Sequence, residues 1–252
     1  MTRKIRYGLP MCGRFMLISP IEAIQKLFDF KQRPNLRPRY NIAPSQEVTI
    51  VRRSAGQDSG TGQAERELAT VSWGLIPSWA EDPKVSYKMI NARAETVDRL
   101  PSYRSAYRKR RCLIPTDGFF EWKADAGKDR RAPKQPYLIR RCDQAPFAFA
   151  GLYERWRSPD PGEVIESCTI VTTSANQKLS PIHHRMPVIL DEKDHERWLD
   201  PQMDGRKLLG PCPDDWLETV MIVDRINKPA HDDPSVLEPI DRPIEPAQGS
   251  LF

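Results

Sequence analysis

The sequence has no pair of cysteines at C-x-x-C spacing, and its five cysteines (Cys12, Cys112, Cys142, Cys168 and Cys212) are an odd number. That pattern argues against a disulfide framework and against a structural zinc site. Histidine is scarce too: there are four, and His183 and His184 are adjacent, a spacing at which two side chains rarely hold one ion. A protein without metal or cofactor is expected. No apolar run approaches the roughly 18 residues of a membrane span, so no membrane partner is expected. The first ten residues carry Arg3, Lys4 and Arg6 but no apolar stretch, which excludes a secretory signal there and makes the cytoplasm the expected location. Glycine is sparse, 13 against 24 prolines, and proline interrupts both helices and central strands, so much of the chain is expected in loops.

What is present is a chain of 252 residues, 39% hydrophobic, long enough to bury a substantial core as one large domain or two small ones. The net charge of +5 is unevenly placed, with five cations in YRSAYRKRRC at 103–112. Such a run fits a solvated basic face or, more pointedly, a nucleic-acid backbone. SPIEAIQKLFDF predicts a short amphipathic helix, with Ser19 as N-cap, Pro20 in the first turn and Ile21, Ile24, Leu27 and Phe28 on one side. Further helical regions are expected over about 96–111, broken at Pro101, and in DEKDHERWLD from Asp191. Short β-rich runs begin at Glu47, Leu68, Pro136, Pro146, Ser167 and Thr219, each bounded by Gly, Pro, Asp or Ser. They do not alternate regularly with helices, so a doubly wound parallel sheet is not expected. The polar stretch at 54–67 reads as a mobile loop between strands. The fold class expected is α+β, a curved and mainly antiparallel sheet or open barrel with short peripheral helices. Residues 1–10 form an extension, 11–239 the domain, and 240–252 a proline-rich extended tail.

Four clusters set reactive groups beside structure-breaking residues: CGRF at Cys12, NARAE at Asn91, DGFFEW at Asp117 and IHHRMP at Ile182. RYNIAP at Arg39 and WGLIPSW at Trp73 accompany them. Each has an ordinary structural explanation alone. Cys12 can be a buried thiol, Asn91 a helix cap, Glu121 a partner of the basic run, and His183 a hydrogen-bonded histidine. The stretch MCGRF is more suggestive, because loss of Met11 and all before it would leave Cys12 with a free amine two carbons from its thiol. That pair can close a five-membered ring on an aldehyde.

Taken in order, MCGRF, RYNIAP, WGLIPSW, INARAET, RCLIPTDGFFEW, IHHRMPVIL and VDRINKPAHDDPSVLEP resemble the SOS-response-associated peptidase (SRAP) family, the abasic-site processing proteins. The match runs from Met11 to about Pro239, and seven ordered motifs are far more specific than one. The resemblance implies a SRAP-like fold and a protein that captures abasic sites in single-stranded DNA covalently. It places the family's nucleophile on Cys12, its asparagine on Asn91, its carboxylate on Glu121 and its histidine on His183, with His184 at the variable position. It assigns backbone contacts to Arg14, Arg93 and Arg185, the DNA path to Asn41 and Pro44, and base stacking or a wedge to Trp79. When on DNA, the protein would be nucleoid-associated.

The chemistry of those residue types agrees. His183 suits proton transfer as the closed sugar opens to its aldehyde. An α-amine with a pKa near ~7.8 is largely neutral enough to form a Schiff base, after which the thiol closes a thiazolidine. Glu121 can shuttle protons at the amine, and Asn91 can hold the amine or a sugar oxygen. Reversal, or a lyase side reaction from the Schiff base, would use the same groups. The sequence departs from the family in carrying MTRKIRYGLP before Met11, expected to reflect either start-codon choice or a propeptide removed by self-cleavage. Two rival readings are a thiol peptidase built on Cys12, His183 and Glu121, and a single-strand DNA-binding module that forms no bond. At the other end, Gln248, Leu251 and Phe252 look like the short Gln-x-x-Leu-Phe peptides that dock on a replication sliding clamp.

Overall fold

The computed structural model describes residues 12–58, 64–124, 134–158 and 162–241. The chain opens with β1 (Phe15–Leu17), α1 (Ile21–Phe28), β2 (Arg39–Ile42), β3 (Glu47–Asp58), β4 (Ala64–Trp73) and β5 (Asn91–Arg93). Next come α2 (Arg104–Lys109), β6 (Arg111–Thr116), β7 (Gly118–Lys123), β8 (Gln135–Arg141), β9 (Phe147–Arg157) and β10 (Val164–Ser174). It continues with β11 (Arg185–Pro187), β12 (Ile189–Leu190), α3 (His195–Leu199) and β13 (Leu217–Met221), among short 3-10 turns.

Strands β3, β4, β6, β9 and β10 close into a ring. β3 pairs antiparallel with β4 and β6, β6 with β9, and β9 with β10, while β10 meets β4 in parallel. The mixed, partly closed barrel leaves few edges unpaired, which is how an all-strand core avoids edge-to-edge association. Beyond its pairing with β4, the end of β10 runs on between β5, parallel to it at Ile170–Thr172, and β11, antiparallel at Thr172–Ser174. A second, antiparallel sheet has the order β13-β8-β7-β1-β2.

Side-chain alternation in β7 explains how this second sheet is used. Phe119 faces the main core, where Phe15, Phe119 and Phe147 each pack edge-on to Phe149 and Phe15 also meets Trp73 at 5.2 Å between ring centroids. Phe120 points the other way, with Met16 and Leu138, and is covered by Ile222, Ile226 and Val236 from the C-terminal part of the domain. That part is further tied down by a bridge between Ile222 and Pro239 and by the Ile240 amide, which donates to Met221.

The structure bears out an α+β fold of this kind and corrects several local expectations. Ser19 does not cap α1; its hydroxyl donates to Asp117, and Pro20 holds the cap position without a side-chain bond. The helix expected over 96–111 is only a turn-rich stretch followed by six residues of α2, because Arg111 already opens β6, all of whose side chains are buried. The loop expected at 54–67 is narrower, since β3 continues to Asp58 and β4 starts at Ala64. The basic run divides. Arg110 pairs with Glu154, while Arg111 is buried over the Trp198 ring and donates to the Met203 carbonyl at 2.9 Å. Gly205 is required beside it, because a Cβ there would overlap the Arg111 guanidinium. Arg104, Arg108 and Lys109 remain exposed. The N-terminal extension and the Gln248, Leu251 and Phe252 motif lie outside the described residues.

Candidate active site

The pairing of β1 with β7 matches Phe15 to Phe119 and Met16 to Gly118, and the Phe120 amide donates to the Arg14 carbonyl. Continued two residues, that register sets Gly13 opposite Glu121, which shares a strand face with Phe119, and leaves Cys12, one residue further on, within reach of the Glu121 side chain. The Cys12 nitrogen donates to Glu121 Oε1 at 2.8 Å, and both residues are almost wholly buried. Cys12 turns there with φ of 45°, a left-handed conformation uncommon for a residue with a Cβ. Phe15, locked in the aromatic core three positions on, is the anchor that holds this turn in place.

Burial pushes the Cys12 thiol well above its ordinary pKa; Glu121 adds to the rise by charge and hydrogen bonding, while Arg185 opposes it. Burial likewise raises the Glu121 carboxyl, against the charge of His183 and the hydrogen bonds from Cys12. The thiol is therefore kept protonated beside a carboxylate that holds a proton more readily than usual. His183 ends a turn in which its amide donates to the Leu179 carbonyl. Its Nδ1 lies 3.1 Å from both the amide nitrogen and the carbonyl oxygen of Arg185, so the backbone engages that nitrogen in either tautomer. Asn91 enters from β5, opposite Ile170, with its carbonyl accepting from Tyr103 Oη at 3.1 Å. Glu121 and His183 line one open cleft of about 760 Å³, together with Gly13, Pro44 and Trp122. No group of three His, Cys, Asp or Glu side chains suited to a metal ion occurs among the described residues.

This arrangement, on this fold, coincides with a known family. The profile of the "SOS response associated peptidase (SRAP)" family matches residues 11–229. The chain belongs to the SRAP family. Among its relatives, "Abasic site processing protein YoqW" of Bacillus subtilis (strain 168) is 38% identical over 237 residues, covering 90% of this chain and 99% of YoqW. "Abasic site processing protein HMCES" of Gallus gallus is 33% identical over 234 residues, covering 81% of this chain and 67% of HMCES. A crystal structure of a Bacteroides thetaiotaomicron protein superposes with a TM-score of 0.77 at 27% identity, over 91% of this chain and all of that one.

Around this SRAP centre the other expected residues take different positions. Arg14 lines the cleft, half-buried, and donates to Asn41 Oδ1 and to the Ile226 carbonyl, both at 2.8 Å. Burial lowers its pKa. Asn41 itself is fully buried and reaches the cleft only through Arg14. Pro44 lines the cleft, Arg93 is exposed at the end of β5, and Trp79 is 62% exposed outside the core. Arg185 is buried, with its guanidinium forked onto Glu95 and donating to the Thr172 carbonyl at 2.6 Å. Three residues stand here that no sequence argument singled out: Trp122 and Asn227 line the cleft, and Glu95 pairs with Arg185, two positions after His183. Trp122 Nε1 donates to Asn227 Oδ1 at 2.7 Å, closing one side of the cleft. All three stand inside motifs already noted, NARAE, DGFFEW and VDRINK, so the signal was present but unspecific.

Proposed function

We propose that the protein processes abasic sites in single-stranded DNA by forming a covalent thiazolidine link through Cys12 as an N-terminal residue. The observation that carries this reading is the 2.8 Å contact between the Cys12 nitrogen and Glu121 Oε1. A thiol nucleophile acting alone has no use for a carboxylate on its backbone nitrogen. An amine nucleophile does, because it must lose protons as it forms an imine. The names of the relatives, abasic site processing proteins, support the same substrate.

In this reading His183 Nε2 takes the proton of the anomeric hydroxyl as the ring C–O bond breaks and returns it to the former ring oxygen, freeing the aldehyde. The neutral Cys12 amine attacks the aldehyde carbon, and Glu121 delivers the proton with which the carbinolamine hydroxyl leaves as water. The Cys12 sulfur then bonds to the imine carbon, and the thiol proton ends on the ring nitrogen. One aldehyde and one aminothiol give one thiazolidine and one water. A raised thiol pKa is no obstacle, since ring closure is intramolecular between groups already fixed in place. Run backward, with Glu121 protonating the ring nitrogen, the same steps release the DNA. Asn91 is assigned to hold the amine or a sugar oxygen, and Arg14, Arg93 and Arg185 to the backbone, with Pro44 and Trp79 along the strand.

A peptidase acting through a Cys12 thiolate is less well supported. Burial and Glu121 both disfavour the thiolate, and the group hydrogen-bonded to Cys12 is a carboxylate rather than an imidazole.

Protein beginning at Cys12, incubated with single-stranded DNA that holds one abasic site, is expected to give an adduct that survives heat and denaturant. Protein shown by mass to retain Met11 should give none, because its Cys12 nitrogen is acylated. An equally stable adduct from the acylated chain would overturn the mechanism.

A further inference from the structure

The positive groups around the cleft are not all equally available. Arg93 at the end of β5 is exposed. Arg185, by contrast, is closed off. Both of its terminal nitrogens reach one carboxylate, Nη1 to Glu95 Oε1 and Nη2 to Glu95 Oε2 at 3.0 Å. The two partners differ sharply in their surroundings: the Arg185 side chain is 9% exposed and that of Glu95 52%. Glu95 therefore lies on the solvent side of the guanidinium and covers it.

The arginine beneath is held independently of that carboxylate. Its Nη2 donates to the Thr172 carbonyl, which also accepts from the Ala94 amide at 2.8 Å, and Arg185 sits in β11, in register with Ser174 of β10. Two strands and a shared carbonyl thus fix the guanidinium whether or not Glu95 is in place. Glu95 stands two residues after β5 in a turn, and its half-exposed side chain borders water. A carboxylate and a phosphodiester present the same pair of anionic oxygens to a guanidinium fork.

The geometry points to Glu95 as a built-in anionic cover, a carboxylate that occupies the Arg185 fork in the free protein and is displaced by a backbone phosphate when single-stranded DNA enters the cleft. This rests on the reading that the cleft takes single-stranded DNA. The cover lowers affinity for any DNA strand, because each binding event must first break an ion pair. It weighs most on strands held by backbone contacts alone, since a captured abasic site gains a covalent bond that does not depend on the fork. Glu95 is in this sense a specificity-determining residue, keeping undamaged strands from staying bound.

The test uses the full chain and an intact single-stranded oligonucleotide without an abasic site, so that no chemistry intervenes. Fluorescence anisotropy gives Kd over a series of salt concentrations. Glu95→Gln is expected to tighten binding by roughly twofold to fivefold, the scale of a partly exposed ion pair removed. Its log–log salt slope should match the wild type's, because the same phosphate contact forms in both complexes; a slope steeper by about 0.7 would show that the wild-type fork stays closed and would overturn the displacement. Glu95→Asp keeps the charge but draws it back from the fork, and should show part of the same gain. A merely general effect of charge would leave the Asp variant like the wild type and overturn the proposal. So would weaker binding by Glu95→Gln, which would make Glu95 a scaffold for Arg185. In an Arg185→Lys background the Glu95→Gln gain should shrink, because no fork remains to be freed; an undiminished gain would count against the proposal. Failure of the wild type to bind the oligonucleotide even at low salt would sink the DNA reading itself. Binding by the wild type with an unchanged Glu95→Gln variant would sink only the cover.

Discussion

Glu121 is subject to two opposed influences, and their balance defines the centre. Burial favours its neutral form, whereas the hydrogen bonds from Cys12 and the nearby His183 favour its charged form. The net shift is upward from 4.5, so the folded chain binds a proton at Glu121 more tightly than the unfolded chain does. Such a group adds stability below the unfolded value, and that contribution is lost as pH rises through the folded one. Glu121→Gln should therefore melt higher than the wild type near neutral pH, with the gap closing as pH falls below about 4.5, in the carboxylate range. A variant that melts lower at neutral pH would show that the charge is needed for the fold, and that its burial cost is outweighed. Legibility in the sequence also belongs to this scale. Cys12, Glu121 and His183 could be picked out because each carries reactive chemistry beside Gly, Phe or Pro in a short pattern. Glu95 could not: an exposed glutamate in a polar turn looks like any solvated acid until Arg185, 90 residues away, is seen beneath it. Asn41 failed in the other direction, since its place in RYNIAP suggested a surface role and gave no sign of its complete burial.

At the scale of elements, α3 is held by a contact between two helices that carries a pH dependence of its own. His195 lies flat on Phe28 of α1, rings 5.3 Å apart and 9° from parallel, almost without exposure, and its Nδ1 has no hydrogen-bond partner among the described residues. Burial, helped by the charge of Arg66 and opposed by Asp191, takes its pKa from 6.5 down to about 4. The unfolded chain then takes up the proton first. Stability is full above the unfolded value near 6.5, falls as pH drops toward about 4, and levels off below that. The loss amounts to about 3 kcal/mol across that window, since each pKa unit is worth about 1.4 kcal/mol. His195→Phe keeps a ring on Phe28 and removes the titration, so urea unfolding at a series of pH values should show the variant losing less stability between pH 6.5 and 4. Parallel losses would mean that other groups govern the acid limb. The elements themselves were legible where they are long. Each of the six β-rich runs contains a strand, because alternating β-branched and aromatic residues reflect a half-buried ladder. LATVSWGLI, however, overruns β4 at Trp73, and TVMIVDRI overruns β13 at Met221 and passes into a 3-10 turn. Strands such as β5 and β11, three residues each, have too few positions to show a period, and it is the long β10 between them that makes them strands.

The whole molecule depends on a strap. The segment after β13 crosses back over the second sheet, burying Ile222, Ile226 and Val236 on Phe120 and placing Asn227 on the cleft wall. What fastens it is one side chain from β2. Asn41 Nδ2 shares its two hydrogens among the carbonyls of Ile226, Lys228 and His231, at 3.2, 3.0 and 2.8 Å. Its Oδ1 accepts from Arg14, and its amide, like that of Tyr40, donates to Asp232. The arrangement joins residues nearly 190 positions apart and sets Arg14 in the cleft at the same time. This explains why a fully buried asparagine matters to a surface site: it determines where the strap lies, and the strap and Arg14 together shape the cleft. Asn41→Ala would remove four hydrogen bonds, to the carbonyls of Ile226, Lys228 and His231 and from Arg14, a loss of about 3 kcal/mol given that each hydrogen bond contributes about 0.5–1.5 kcal/mol net. The damage should be local. Hydrogen exchange is expected to speed up at the amides of Ile222, Val223, Lys228, His231 and Val236, while those of β6 and β9 in the barrel keep their protection, because the Asn41 side chain bonds to Arg14 and the strap and those strands are held by their own ladder. Asn41→Asp should be worse, since it turns a donor into a charged acceptor facing three carbonyls. Uniform loss of protection across barrel and strap, or no change in the strap at all, would refute the view that one buried amide fastens the two parts together.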